Sequence, residues 1–468
     1  MPGPSRIVAA AITVGFMAVV TACEPGRGPT MRFLATTPHQ EYVRQLQEVG
    51  LDRTALGRDW IAAATGALAG PVDVEPPYRE ARYLDPSLAA AVAYRIVLRR
   101  GQRLVVRLDV GDSARPDGRY FLDLFFTPDS VTRLWPVAAA DSSGRELEYV
   151  ALRPGTYVLR IQPELLRGGR VTVSLSARAS LGFPVAGRGM TGIRSRFGAP
   201  RDGGRREHHG VDIFAPRGTP VVAAVAGQVS RVRTSGLGGN VVWLRESGLD
   251  RRLYYAHLDR HAVVEGAWVE PGDTLGFVGN TGNARTTPPH LHFGIYLRGV
   301  GPVDPHFHLY DPPHDAEGFD GDTALVGRWA RLGRAGALVR SRPRADASPV
   351  DTLPAFTPIE LLAGSGRWYR ARLPDGREGY VAVRETEGLV PLEVTTLVAG
   401  SLLRGPAPGG APIDSLSSGD TVPVLGRFGD YALVERAGGR HGWIVGQVLG
   451  AAAGANPALV TGNGAQAR

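Results

Sequence analysis

At 468 residues the chain is too long for a single hydrophobic core, and at roughly 100 to 200 residues per domain it divides into several units. Its 62 Gly and 36 Pro, with little helical periodicity after the first seventy residues, exclude a helical bundle and predict a mainly β, multidomain protein. The formal charge of +8 comes from bases that are all Arg; it suits anionic surfaces such as cell-wall polymers, but no basic stripe interleaved with aromatics appears, which argues against nucleic acid as a partner.

Residues 1–22 read as an export signal: Arg6 supplies a short basic start, an apolar run extends from Ile7 to Val20, and small residues precede Cys23. The run is shorter than the roughly 20 residues of a membrane-spanning helix. Val20-Thr21-Ala22-Cys23 resembles a lipobox, which implies acylation of Cys23 and a membrane-anchored lipoprotein of the cell envelope, extracytoplasmic or periplasmic. Cys23 is the chain's one cysteine, so no disulfide forms within the chain and stability rests on packing and metal. In the linker and helical segment 23–70, Thr37-Pro38 offers a helix start, and Tyr42, Val43, Leu46 and Val49 recur at helical spacing, predicting two helices over 38–69. Within 71–180, strand-length segments from Tyr94 to Ala179 alternate with Gly- and Pro-bearing turns, predicting a β-sandwich similar to the jelly-roll accessory domains of secreted hydrolases.

Residues 183–310 carry the chemistry. Nine of the 11 His lie between His208 and His314, in a chain that uses His sparingly elsewhere. In EHHGVD, Gly210 allows the close backbone approach that brings His208 and Asp212 onto one ion, with His209 the alternative ligand. In PPHLHF, His290 and His292 are two apart and share one face of a strand, so a ligand and a proton carrier sit side by side. Two His and one Asp would leave a fourth position of a Zn²⁺ ion open for water. No HExxH motif supplies a Glu base, so the proton chemistry falls to His257, in YYAHL, and His290. His209, His261, His306, His308 and His314 otherwise read as ordinary core or surface residues.

The stretch from GIRSRFGAPRDGGRREHHGVDIF through YYAHLD to GNTGNARTTPPHLHFGI resembles the lysostaphin-type (LytM-type) zinc metallopeptidases that cut peptidoglycan peptides. The resemblance implies a compact antiparallel β fold with a groove between loops, one zinc ion held by His208, Asp212 and His292, and catalysis by His257 and His290. Gly294 stands where many members carry an acidic residue that is not a ligand. Some proteins of this fold have lost ligands and activate separate wall amidases, and a wall-binding scaffold is a further alternative; the intact set of five argues for the enzyme.

After a linker, 311–332, two β-rich segments, 333–390 and 394–449, each end on a Gly-aromatic strand: Gly379-Tyr380 and Gly442-Trp443. Aromatic-bearing strands precede them, at Trp368-Tyr369 and Tyr431. The repetition resembles a tandem pair of bacterial SH3-like barrels, which implies wall binding. Residues 450–468 are small and polar and read as a disordered tail. The expectation is an envelope-anchored zinc endopeptidase acting on peptidoglycan.

Overall fold

Thr37 opens the first helix, Pro38–Glu48: its hydroxyl accepts from the Gln40 amide while the Gln40 side chain accepts from the Thr37 amide. This reciprocal cap satisfies two N–H groups that the helix start leaves without partners. The computed structural model describes residues 36–111, 118–128, 133–141, 144–313, 315–436 and 438–452. The export signal, Cys23, His314 and the tail from residue 453 lie outside the described residues. Among the described residues no helix is long and apolar enough to cross a membrane.

A second helix, Ala55–Ala69, starts at Thr54, whose hydroxyl accepts from the Gly57 amide. Tyr42 and Leu46 of the first helix and Trp60 of the second close on Phe121 of the β-sandwich. Trp60 donates its indole N–H to the Pro163 carbonyl at 2.9 Å, and His39 stacks 4.8 Å from Trp60 while facing Gln162 Oε1 at 2.7 Å. The helical pair is a cover tied to the sandwich by these polar contacts.

The sandwich packs one sheet, with strands Val92–Leu98, Gly155–Pro163 and Tyr120–Thr127 at its centre, against another built from Tyr78–Leu84, Gly169–Ala179, Gln102–Val110 and Glu146–Val150. Alternate residues point inward: Tyr94, Ile96 and Leu98 meet Leu104, Val106, Leu108, Val171, Val173 and Leu175 in one core.

The His-rich region forms its own ten-stranded sheet. Five strands run side by side: Val211–Phe214, His290–Leu297, Arg251–His261, Gly239–Glu246 and Gly227–Ser235. One face buries Val211, Ile213, Leu291, Phe293, Ile295, Leu253, Tyr255, Val242 and Leu244. The other face is free to carry chemistry. The region closes on itself at a neck, where the Ser180 and Leu181 amides both donate to the His308 carbonyl, at 3.1 and 2.9 Å. His308 is fully buried there, with Arg251 Nη1 at 2.7 Å and Ser180 Oγ at 3.2 Å from its Nδ1.

Two small β units follow, one centred on Ile359, Leu361, Tyr369 and Val381 and one on Val422, Val424, Val434 and Ile444. The first does not hang as a separate bead. Its strand Pro358–Ser365 pairs with the sandwich strand Tyr78–Leu84 (Ala81 with Gly364, Arg82 with Ala363), making one sheet of eleven strands across both. Each unit thereby uses an edge that would otherwise expose unpaired N–H and C=O groups. Inside the seam the buried Glu80 carboxylate accepts from Tyr78 and Tyr94 hydroxyls at 2.6 and 2.8 Å and from Arg82 at 2.8 Å.

Candidate metal centre

Strand pairing assembles the site. Asp212 and His292 are direct cross-strand partners, Phe214 pairs with His290, and Ala256, the residue before His257, pairs with His292 from the other side. The loop ahead of Asp212 delivers His208, whose backbone is tied to its neighbours by His208 N–H to Ala199 O and Gly198 N–H to His208 O, both at 2.9 Å. Gly210 is needed where these meet: a Cβ there would lie 2.5 Å from the Phe293 carbonyl and 2.8 Å from the His292 ring.

His208 Nε2 lies 2.9 Å from both His292 Nδ1 and Asp212 Oδ1, and His292 Nδ1 lies 3.1 Å from the same oxygen. His208 Nδ1 sits 2.9 Å from the Arg196 carbonyl, which only accepts, so the proton is on Nδ1 and Nε2 keeps its lone pair. Two imidazole nitrogens and a carboxylate oxygen thus converge on one point, and their chemistry fits a tetrahedral divalent cation of the zinc type. Burial pushes the Asp212 pKa up, but the adjoining His208 and His292 rings outweigh it and hold the carboxyl well below its usual range.

His257 and His290 complete the cluster, their ring centroids 5.1 Å apart. Their Nδ1 atoms lie 2.9 Å from the carbonyls of Thr281 and Pro288, so each donates there and leaves Nε2 as a base. Burial first, then the neighbouring His292 and His290 rings, lowers the His257 pKa to about 4, which keeps the ring neutral. His257 also adopts a left-handed backbone, φ 62, the kind of conformation that costs roughly 1–3 kcal/mol and collects at functional sites.

The sequence profile described as peptidase family M23 matches residues 206–305, the segment that carries all five of these side chains, and that for a bacterial SH3 domain matches residues 335–387. The chain thus carries an M23 peptidase domain and a bacterial SH3 domain. Among its relatives, the L-Ala–D-Glu endopeptidase of Bacillus subtilis is 38% identical over 138 residues, covering 27% of this chain and 42% of that protein. The peptidoglycan DD-endopeptidase ShyC of Vibrio cholerae is 39% identical over 101 residues, covering 22% and 23%. The chain therefore spans less than half the length of these curated relatives. Among solved structures, the catalytic domain of lysostaphin from Staphylococcus simulans is 31% identical, with 27% of this chain and 89% of that one covered and a TM-score of 0.21.

The remaining histidines stand apart from this M23 cluster. His209, the alternative ligand, is exposed and stacks near Phe197 at 6.4 Å. His306 stacks on Tyr310 at 5.6 Å, and His308 belongs to the buried neck. Sequence reasoning missed Arg201, which donates from one nitrogen to Asp212 Oδ2 and to Ser195 Oγ, each at 2.7 Å. It sits in a short hairpin, Pro200–Arg201 with Arg206–Glu207, and no motif announces it, because a guanidinium holding the outer oxygen of a carboxylate depends on the fold alone. A cavity of about 780 Å³ lies at the sandwich–barrel seam beside Arg79 and Trp368 rather than at the donors. A smaller one of about 440 Å³, lined by Asn240, Thr281 and Arg285, adjoins His257 through Thr281.

Proposed function

We propose that the chain is a zinc-dependent endopeptidase that hydrolyses peptide bonds in peptidoglycan stem peptides or cross-links outside the cytoplasm. The convergence of His208 Nε2, Asp212 Oδ1 and His292 Nδ1, with His257 and His290 beside them, carries this reading. The names of the B. subtilis and V. cholerae relatives, both endopeptidases, support it. His208, Asp212 and His292 are the residues that would hold one zinc ion. When bound, the ion supplies a Lewis acid for the scissile carbonyl and brings the pKa of water from about 15.7 toward roughly 7.

His257 and His290 present Nε2 lone pairs beside the donor set, suited to take a proton from water and return it to the leaving amine. Arg201 holds the outer oxygen of Asp212 in place. Acylated Cys23 would hold the enzyme at a membrane, and the SH3-like units would keep it on the wall, raising local substrate concentration without touching the chemistry.

Peptidoglycan sacculi incubated with the purified protein, with and without a zinc chelator and beside His290→Ala, test the reading by mass spectrometry of released muropeptides. Chelator-sensitive products that the variant does not release are expected. A zinc-loaded, wall-binding protein that releases nothing overturns the enzyme in favour of a non-catalytic envelope protein.

A further inference from the structure

The sheet face that carries His292 and Asp212 continues past them as an aromatic surface. Tyr254 lies 5.8 Å from the His292 ring, Trp243 lies 4.5 Å from Tyr254, and Tyr296 lies 5.1 Å from Trp243. Register places them on one face: Trp243 pairs with Tyr254, Tyr254 with Gly294, and Arg252 with Tyr296. All three rings are part-exposed, while the alternate residues Val242, Leu244, Tyr255 and Phe293 fill the core behind them.

Four exposed arginines fringe this surface on the same face: Arg231 opposite Trp243, Arg233 opposite Val241, and Arg245 opposite Arg252. Their neighbours Arg217, Arg251 and Arg260 are matched by Asp259 and Glu246, whereas these four have no carboxylate partner among the described residues. At about 3.3 Å per residue and about 4.8 Å per strand, the patch reaches roughly 13 Å along and roughly 14 Å across the sheet from His292. That is room for three or four extended residues whose scissile bond lies at the metal centre, at roughly 3.3–3.6 Å each.

We infer that this arginine-fringed aromatic face is a substrate subsite that selects peptides bearing free carboxylates near the cleaved bond over neutral bridges. The inference rests on the hydrolase reading and names its substrate class. Apolar stems and amide planes of the peptide lie on Trp243, Tyr254 and Tyr296, and its carboxylates are met by guanidinium groups, which bind them in a planar, two-pronged geometry.

The test uses the zinc-loaded full chain and three substrates: a cross-linked stem peptide with free glutamate and diamino-acid carboxylates, its fully amidated form, and a glycine-bridged peptide. The acidic form is expected to show the lowest KM. In Arg231→Gln/Arg252→Gln that KM should rise about tenfold with kcat within about twofold, and the preference over the amide should shrink; higher salt should do the same to the parent protein. Both arginines are exposed and make no ion pair, so the fold is retained. Equal KM for acidic and amidated peptides, unchanged in the variant, overturns the subsite and leaves the hydrolase standing.

Binding gives a readout independent of turnover: titration of metal-stripped protein with the acidic peptide, followed by tryptophan fluorescence against a Trp243→Phe control. Binding lost in the arginine variant supports the subsite even if no substrate is cleaved, an outcome that would sink the hydrolase reading alone. Equal binding by a single-stranded oligonucleotide of the same charge overturns the peptide selectivity.

Discussion

Four of the five side chains of the cluster have a second atom that is held elsewhere: the candidate ligands His208 by the Arg196 carbonyl and Asp212 by Arg201, and beside them His257 by Thr281 and His290 by Pro288. Such outer contacts set tautomer and orientation, and their loss typically costs about 10–100-fold in metal affinity. Arg201→Gln is therefore expected to weaken zinc binding by about that factor in a chelator competition, while circular dichroism stays unchanged. Gly210→Ala should have a comparable or larger effect, because the added methyl meets the Phe293 carbonyl at 2.5 Å and a ligand ring at 2.8 Å. His290→Ala should instead keep one zinc per chain and lose roughly 10²–10⁴-fold in hydrolysis, as removal of a proton carrier does. His208, Asp212, His290 and His292 stand out in the sequence because Gly210 and the His-x-His spacing are local devices, whereas His257 is paired with them through the resemblance. Arg201 does not stand out, since nothing within a few residues of it reports its partner eleven positions away.

At the scale of elements, the two-residue spacing of His290 and His292 does put both on one strand face, as period two requires. What no local pattern could supply is the pairing of Val211–Phe214 with His290–Leu297, about eighty residues on, which turns two motifs into one site. The helical pair makes a separate prediction. His39 is 4% exposed, and burial first, then the charge of Arg160, lowers its pKa to about 4. A histidine whose folded pKa is depressed from 6.5 contributes stability that is complete above pH 6.5 and is lost as pH falls toward 4, because the unfolded chain binds the proton more readily. The loss is about 3 kcal/mol at most. Urea midpoints taken at pH 7.5 and at about pH 4.5 should fall less in His39→Phe, which keeps a stacking ring on Trp60 and cannot titrate.

For the whole molecule, the mainly β class, the helices and the sandwich follow from periodicity and turn residues, which are local, while the peptidase and barrel folds were legible only through the resemblance their motifs carry. The seam between sandwich and first barrel follows from neither, because Tyr78–Leu84 and Pro358–Ser365 are ordinary strands by pattern and only their meeting makes them central. Glu80→Gln tests how much the seam contributes. It removes the buried charge that balances Arg82, and loss of one partner of such a pair typically costs about 3–5 kcal/mol. Calorimetry should show sandwich and first barrel melting together in the parent protein and at separate temperatures in the variant.

The neck at Ser180, Leu181 and His308 has a mechanical consequence when taken with that seam. The peptidase is a closed loop whose two ends are hydrogen-bonded to one another, and the units on either side of it in sequence are zipped together through a shared sheet. A tension applied between the two ends of the chain is borne by the zipper and the neck, in parallel, while the 182–307 segment carries none. The five-residue His/Asp cluster stays at rest under a load that crosses the rest of the protein, which is how a blade is mounted when the handle, and not the edge, must take the strain.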